Sequence, residues 1–145
     1  MSIGRRVARF AVLLGLGLGV AGAMAQDFRQ AAPAGAKVYF IEPKDGATVS
    51  GPITVKFGLT GMGVAPAGVE KKATGHHHLL IDTKLADPKA PIPADDKHRH
   101  FGAGQTETQV SLAPGKHTLQ LVVGDHQHIP HNPIVASEII TITVK

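Results

Sequence analysis

Apolar and polar residues alternate in short runs along most of this chain. In residues 53–59, Ile53, Val55, Phe57 and Leu59 interleave with Thr54, Lys56 and Gly58. A period of two predicts a strand with one buried and one wet face. Residues 117–123 set Leu119, Leu121 and Val123 against Thr118, Gln120 and Val122, and residues 137–144 set Ile140, Ile142 and Val144 against Ile139, Thr141 and Thr143. Residues 38–41, 76–82 and 106–112 predict three more strands. The first stops at Pro43 and a Lys44-Asp45-Gly46 turn, and the 76–82 run is entered through Gly75. Loops are predicted over residues 61–75, over 85–96 with its three prolines, and over 124–133. No segment carries the 3.6-residue period of a helix. The pattern predicts an all-β fold, an antiparallel immunoglobulin-like β-sandwich of about seven short strands spanning residues 37–145.

The beginning of the chain has a different texture. Arg5, Arg6 and Arg9 precede an apolar run over residues 10–21, and Ala23-Met24-Ala25 follows. That order predicts a signal peptide over residues 1–25, cleaved after Ala25. The expected location is periplasmic or secreted, with no membrane insertion after cleavage. Residues 26–36, rich in Ala, Pro and Gly, read as a flexible leader. Three of the fifteen basic residues fall in the signal, so the remainder nearly balance the eleven acidic ones. No basic patch with interleaved aromatics is present, so nucleic acid is not an expected partner. The chain has no cysteine, which excludes disulfides, thiolate metal sites and thiol chemistry. Beyond residue 25 only Met62 remains of three methionines, which argues against a sulfur-based Cu(I) carrier.

Nine histidines, all after Gly75, change the picture. They fall as His76-His77-His78, as His98-Arg99-His100, as His126-Gln127-His128 with His131, and as His117 alone. On a strand, residues i and i+2 share a face, so an His-x-His pair presents two imidazoles together. Neutral imidazole nitrogen suits Zn(II) and Cu(II), and neither ion requires sulfur. The expected ligands are His76, His78, His98 and His100, with His128 and His131 next. Asp82, Glu107, Asp125 and Gln105 are placed to accept hydrogen bonds from the imidazoles and fix their tautomers. His77, in phase with Leu79 and Ile81, reads as a structural core histidine. His117, opening a strand after Pro114-Gly115, reads as a structural corner tie. His131, between Pro130 and Asn132-Pro133, also suits a loop brace. Gly102 and Gly104 are expected to form a tight turn beside the His98-x-His100 pair.

These runs resemble a family of short exported bacterial proteins of unknown function. The resemblance rests on Gly75-His76-His77-His78-Leu79-Leu80-Ile81-Asp82, on His98-Arg99-His100-Phe101-Gly102-Ala103-Gly104-Gln105-Thr106-Glu107, and on Pro114-Gly115-Lys116-His117. It implies one compact periplasmic domain and no particular activity. The stretch over residues 42–49 also resembles the first hairpin of bacterial immunoglobulin-like modules, which bears on fold alone. The residues themselves leave three readings open. One is a metal-binding protein that buffers, transports or senses Zn(II) or Cu(II). The second is a non-catalytic module for an envelope protein partner, its histidines forming a hydrogen-bond network. The third is a metal-dependent hydrolase with Glu107 or Asp125 as general base. It ranks last because the chain has few residues to build a substrate pocket.

Overall fold

A computed structural model describes residues 26–145, and the signal peptide read in residues 1–25 lies outside the described residues. The strands run in chain order as β1 (Lys37–Glu42), β2 (Thr48–Val49), β3 (Ile53–Thr60), β4 (Gly63–Val64), β5 (Thr74–Ile81), β6 (His98–His100), β7 (Glu107–Val110), β8 (Gly115–Gly124) and β9 (Ile140–Val144). One sheet has the order β1-β3-β7 and is antiparallel throughout. The other has the order β2-β9-β8-β5-β4, with β6 added against β5. Its central β5-β8-β9 ladder is antiparallel, and only the two-residue strands β2 and β4 pair in parallel. The described residues thus form the predicted β-sandwich, without a helix.

Alternation decides what lies between the sheets. Val38 and Phe40 of β1, with Ile53, Val55 and Phe57 of β3, meet Leu79 and Ile81 of β5, Leu119, Leu121 and Val123 of β8, and Ile140, Ile142 and Val144 of β9. The last strand begins at Ile140, three residues later than the pattern suggested. Ser137 instead takes up Leu121 on both sides: its N–H donates to the Leu121 carbonyl at 2.9 Å, and its Oγ accepts the Leu121 N–H at 2.9 Å.

Strand β5 departs from simple alternation, because every residue from Gly75 to Ile81 is buried. Its inward side carries His77, Leu79 and Ile81. Its outward side carries His76, His78 and Leu80, and it is roofed rather than wet. Leu80 and Val122 pack outward against Ile92 and Leu85 of the proline-bearing segment. The Ile92 N–H donates to the His128 carbonyl at 2.9 Å, tying that segment to the loop after β8.

Two further devices fix the frame. At the exit of β5, Asp82 adopts φ 52° and accepts the Thr118 N–H on Oδ1 at 2.8 Å and the His117 Nδ1–H on Oδ2 at 2.7 Å. His117 Nε2 donates to the Ala113 carbonyl at 2.8 Å, so this imidazole holds a corner between two acceptors. That doubly donating form is the cation, and the Asp82 hydrogen bond raises the His117 pKa. The stretch read as a flexible leader is pinned from Gln30 onward. Ala31 bridges Asn132, the Ala32 N–H donates to the Asn132 carbonyl, and the Asn132 N–H donates to the Gln30 carbonyl, both at 2.9 Å. Ala32 and Ala36 then pack on the core.

His77 occupies the core position its phase predicted, with its ring 5.1 Å from that of Phe57. It is fully buried, and neither ring nitrogen has a partner at hydrogen-bonding geometry. Burial lowers its pKa to about 4, and the nearby Gln105 main chain opposes the shift only in part. A buried polar group without a partner costs about 1–3 kcal/mol. His77→Leu removes both orphaned nitrogens at similar volume. It is expected to raise the urea-unfolding stability by about 1 kcal/mol. A loss of that size would show that the imidazole has a stabilising partner after all.

Candidate metal centre

The outward face of β5 brings two imidazoles side by side, and the register adds a third. His78 pairs with His100 of β6 on one side and with Val122 of β8 on the other, while His76 lies opposite Gly124. The chain then folds back over the sheet after β8, with Gly124 bridging Pro130, and delivers His128. Asp125 organises this return. Its Oδ1 accepts the Gln127 N–H at 2.8 Å and the Ile129 N–H at 3.0 Å, and its carbonyl accepts the His128 N–H at 2.9 Å. His128 itself sits at φ 66°, a left-handed conformation that costs a non-glycine residue of order 1 kcal/mol. Strain of this kind is a reason to look for function at the residue that bears it.

His76, His78, His100 and His128 form one cluster whose candidate ligand atoms all lie within 4.8 Å of one another. All six ring pairs are neighbours, with centroids from 4.7 Å for His100 and His128 to 5.9 Å for His78 and His128. His76 and His78 are 0% and 1% exposed, His128 is half-buried and His100 is exposed. The cluster therefore has a buried floor and one open side.

The nitrogens at the floor are arranged in a telling way. His76 Nε2 lies 3.0 Å from His78 Nε2 and 3.0 Å from His128 Nδ1. A neutral imidazole has one N–H and one lone pair. His76 Nε2 therefore makes one well-aimed hydrogen bond with a neighbour, as donor or as acceptor, and leaves the other nitrogen unmatched. Nitrogens about 2.0–2.1 Å from one ion stand about 3.3 Å apart in a tetrahedron and about 2.9 Å apart as neighbours in a square plane. The two spacings around His76 Nε2 fall between these, so the cluster could hold a metal ion.

Electrostatics keeps these rings in the form a ligand needs. Burial first, then the neighbouring imidazoles His100 and His128, lowers the His76 pKa to about 4. Burial, then His76, lowers that of His78 to about 2. Burial and His128 also lower that of His100. No partner is found for Nδ1 of His76 or of His78. Their orientation is set by packing rather than by an accepting carboxylate, which differs from the usual support of a metal-bound imidazole.

Glycines make the room. A Cβ at Gly102 would lie 2.3 Å from Cε1 and 2.6 Å from Nε2 of His100. At Gly124 it would lie 3.0 Å from His78 Nε2 and 3.2 Å from the His128 backbone. At Gly75 it would lie 2.5 Å from the Gly124 carbonyl oxygen. Gly104, at φ 83°, makes the expected turn, whereas Gly102 has no left-handed φ and serves as the seat of the His100 ring. The bare sequence pointed to these glycines only by their closeness to the histidine runs.

The other expected site residues lie elsewhere. His98 Nδ1 bonds Asp95 Oδ1 at 2.8 Å and closes the turn into β6. His131 is fully buried, with its ring nitrogens 3.2 Å from the Thr74 carbonyl and 3.5 Å from the Val123 carbonyl, so it braces the return loop against β5 and β8. Asp82 serves His117, as above. Glu107 is exposed on β7 in the opposite sheet, and Gln105 Oε1 accepts the Ala103 N–H at 3.0 Å. Of the four polar neighbours, only Asp125 shapes the cluster, and it does so through the backbone of the loop. His126 Nδ1 meets Gln30 Nε2 at 3.1 Å, joining that loop to the N-terminal stretch.

Residues 55–145 match the family described as a domain of unknown function (DUF4399), and the chain belongs to that family. The matched region holds all four clustered histidines and the three glycines around them. No curated protein and no solved structure matches the chain.

The buried imidazoles make the ion-free protein sensitive to acid. In the unfolded chain His76, His77 and His78 take up protons near pH 6.5, but in the folded chain only near pH 4, 4 and 2. Between pH 6.5 and about 4 the unfolded state binds more protons. The contribution of these residues is thus intact above that window and is lost as pH falls through it. Metal-free protein is expected to lose urea stability steeply from pH 7 to 4.5, and His76→Gln/His78→Gln to lose it less steeply. Equal slopes would contradict the shifts. His117 works in the opposite direction and is common to both proteins.

Proposed function

We propose that this protein is an exported metal-binding protein that captures one divalent transition ion, Zn(II) or Cu(II), on His76, His78, His128 and His100. Buffering, transport or sensing of that ion is the role such a site supports. The observation that carries the reading is the convergence of two ring nitrogens, of His78 and His128, on His76 Nε2, each 3.0 Å from it, where that one nitrogen can make a matched hydrogen bond with only one of them. A cation satisfies all three at once. The donor set is wholly imidazole, which favours Cu(II) over Zn(II) in affinity and disfavours Mg(II) and Ca(II). The signal-peptide pattern of residues 1–25 supports a periplasmic or secreted location.

Part of what the protein does at this site needs no ion present. The sheet holds His76 and His78 in fixed rotamers, and the Asp125 turn aims His128 at them. Burial keeps His76 and His78 unprotonated at neutral pH. A bound ion would add the favourable charge that this floor lacks. A second reading, a hydrogen-bond network in a module for an envelope protein partner, draws on the same 3.0 Å contacts. It leaves one of the two contacts around His76 Nε2 without a matched proton, so we rank it second.

Calorimetric titration of the purified, untagged protein with Zn(II) and Cu(II) at neutral pH separates the two. The metal reading expects one ion per chain, a Kd in the micromolar range or tighter, and at least a hundredfold loss in His76→Ala/His78→Ala. Binding no tighter than millimolar for either ion would leave the network reading in place.

A further inference from the structure

We infer that His100 is the exchangeable ligand of this site, and that an incoming nitrogen donor from outside takes its coordination position when the ion is passed on. This inference rests on the metal-binding reading above. It names the step by which the ion would leave.

The four rings are not equivalent. His76 and His78 are 0% and 1% exposed on a central strand hydrogen-bonded on both sides. Their rings have no room to turn away without unpacking the roof. His128 is committed by its backbone: the left-handed φ, the Asp125 turn and the Ile92 hydrogen bond fix where its ring points. These three supply the nitrogens that already stand 3.0 Å apart around His76 Nε2.

His100 has none of these restraints. It sits on a three-residue strand paired only with β5, at the edge of the sheet, and its side is open. Among the described residues its ring makes no hydrogen bond. What keeps the ring at the cluster is packing against His76, His78 and His128, with centroids 4.7–5.2 Å away, in the space that Gly102 leaves. Rotating His100 outward breaks these ring contacts but no hydrogen bond, and it would leave a three-imidazole site with one open position, the arrangement that lets a bound ion accept an outside ligand. In the exchange one metal–nitrogen bond to His100 breaks as one to the incoming donor forms. No electron or proton need be transferred.

Two substitutions separate this role from simple scaffolding. His100→Ala removes the ligand. Gly102→Ala keeps all four histidines and introduces a methyl where the His100 ring lies, at a position whose backbone conformation alanine tolerates. Wild type and both variants would be loaded with Zn(II), and release to a chromophoric chelator would be timed with and without millimolar imidazole as the incoming donor. Both variants are expected to keep one ion per chain and to release it at least tenfold faster than wild type. Imidazole should restore slow release in His100→Ala by filling the vacant position, and should leave His76→Ala unrescued.

If His100→Ala binds as poorly as His76→Ala, His100 is part of the core set and the inference is overturned. Release rates equal to wild type in His100→Ala would overturn it too, since His100 would then not be a ligand. A wild-type protein that takes up no ion removes the metal reading and this inference together, whereas the two preceding results remove the inference alone.

Discussion

Two imidazoles buried on one strand face, His76 and His78, and packed against two more rings are tolerable only while they stay uncharged. That constraint governs the outward face of β5. Protonating His76 or His78 would place a cation among close neighbouring rings with little water to solvate it, so their pKa values fall, and burial with the neighbouring His128 also lowers that of His100. Neutral rings, however, leave two nitrogens, of His78 and His128, facing the single Nε2 of His76, which as donor or acceptor matches only one of them. The face is therefore stable enough to fold and incompletely satisfied once folded. A protein with only structural needs would fill such a face with Leu and Val, as this one does beside His78 at Leu80 and Val122.

The roof follows from the same demand. The proline-bearing segment covers Leu80 and Val122 through Ile92, and the Ile92 N–H to the His128 carbonyl joins it to the return loop. Asp125, His126 and Asn132 anchor that loop to itself and to Gln30 and Ala31. Three glycines let backbone and rings approach where any side chain would intrude. The result is rigid on three sides and open at the β6 edge.

Much of this was readable from the residues, and the reasons for the rest are physical. Alternation in residues 53–59 and 117–123 placed the core, because burial of one sheet face imposes a period of two. The same parity put His76 with His78 and set His77 apart with Leu79 and Ile81. Parity also grouped His98 with His100, yet the pair divides its labour, because Asp95 lies three residues before His98 and captures its ring. No local pattern discloses that β6 lies beside β5 in a register opposing His78 to His100, since strand pairing is non-local. His128 arrives through a left-handed turn, which no periodicity encodes. Asp82 does accept an imidazole proton as expected, but from His117, at the other end of the strand.

Diffraction from crystals soaked in Zn(II) or Cu(II), recorded at each metal's absorption edge, tests the central claim most directly. The account predicts one strong anomalous peak about 2.0–2.2 Å from Nε2 of His76, Nε2 of His78 and Nδ1 of His128. A map with no peak among these nitrogens, or with peaks only at surface groups such as Asp95 and His98, would contradict it.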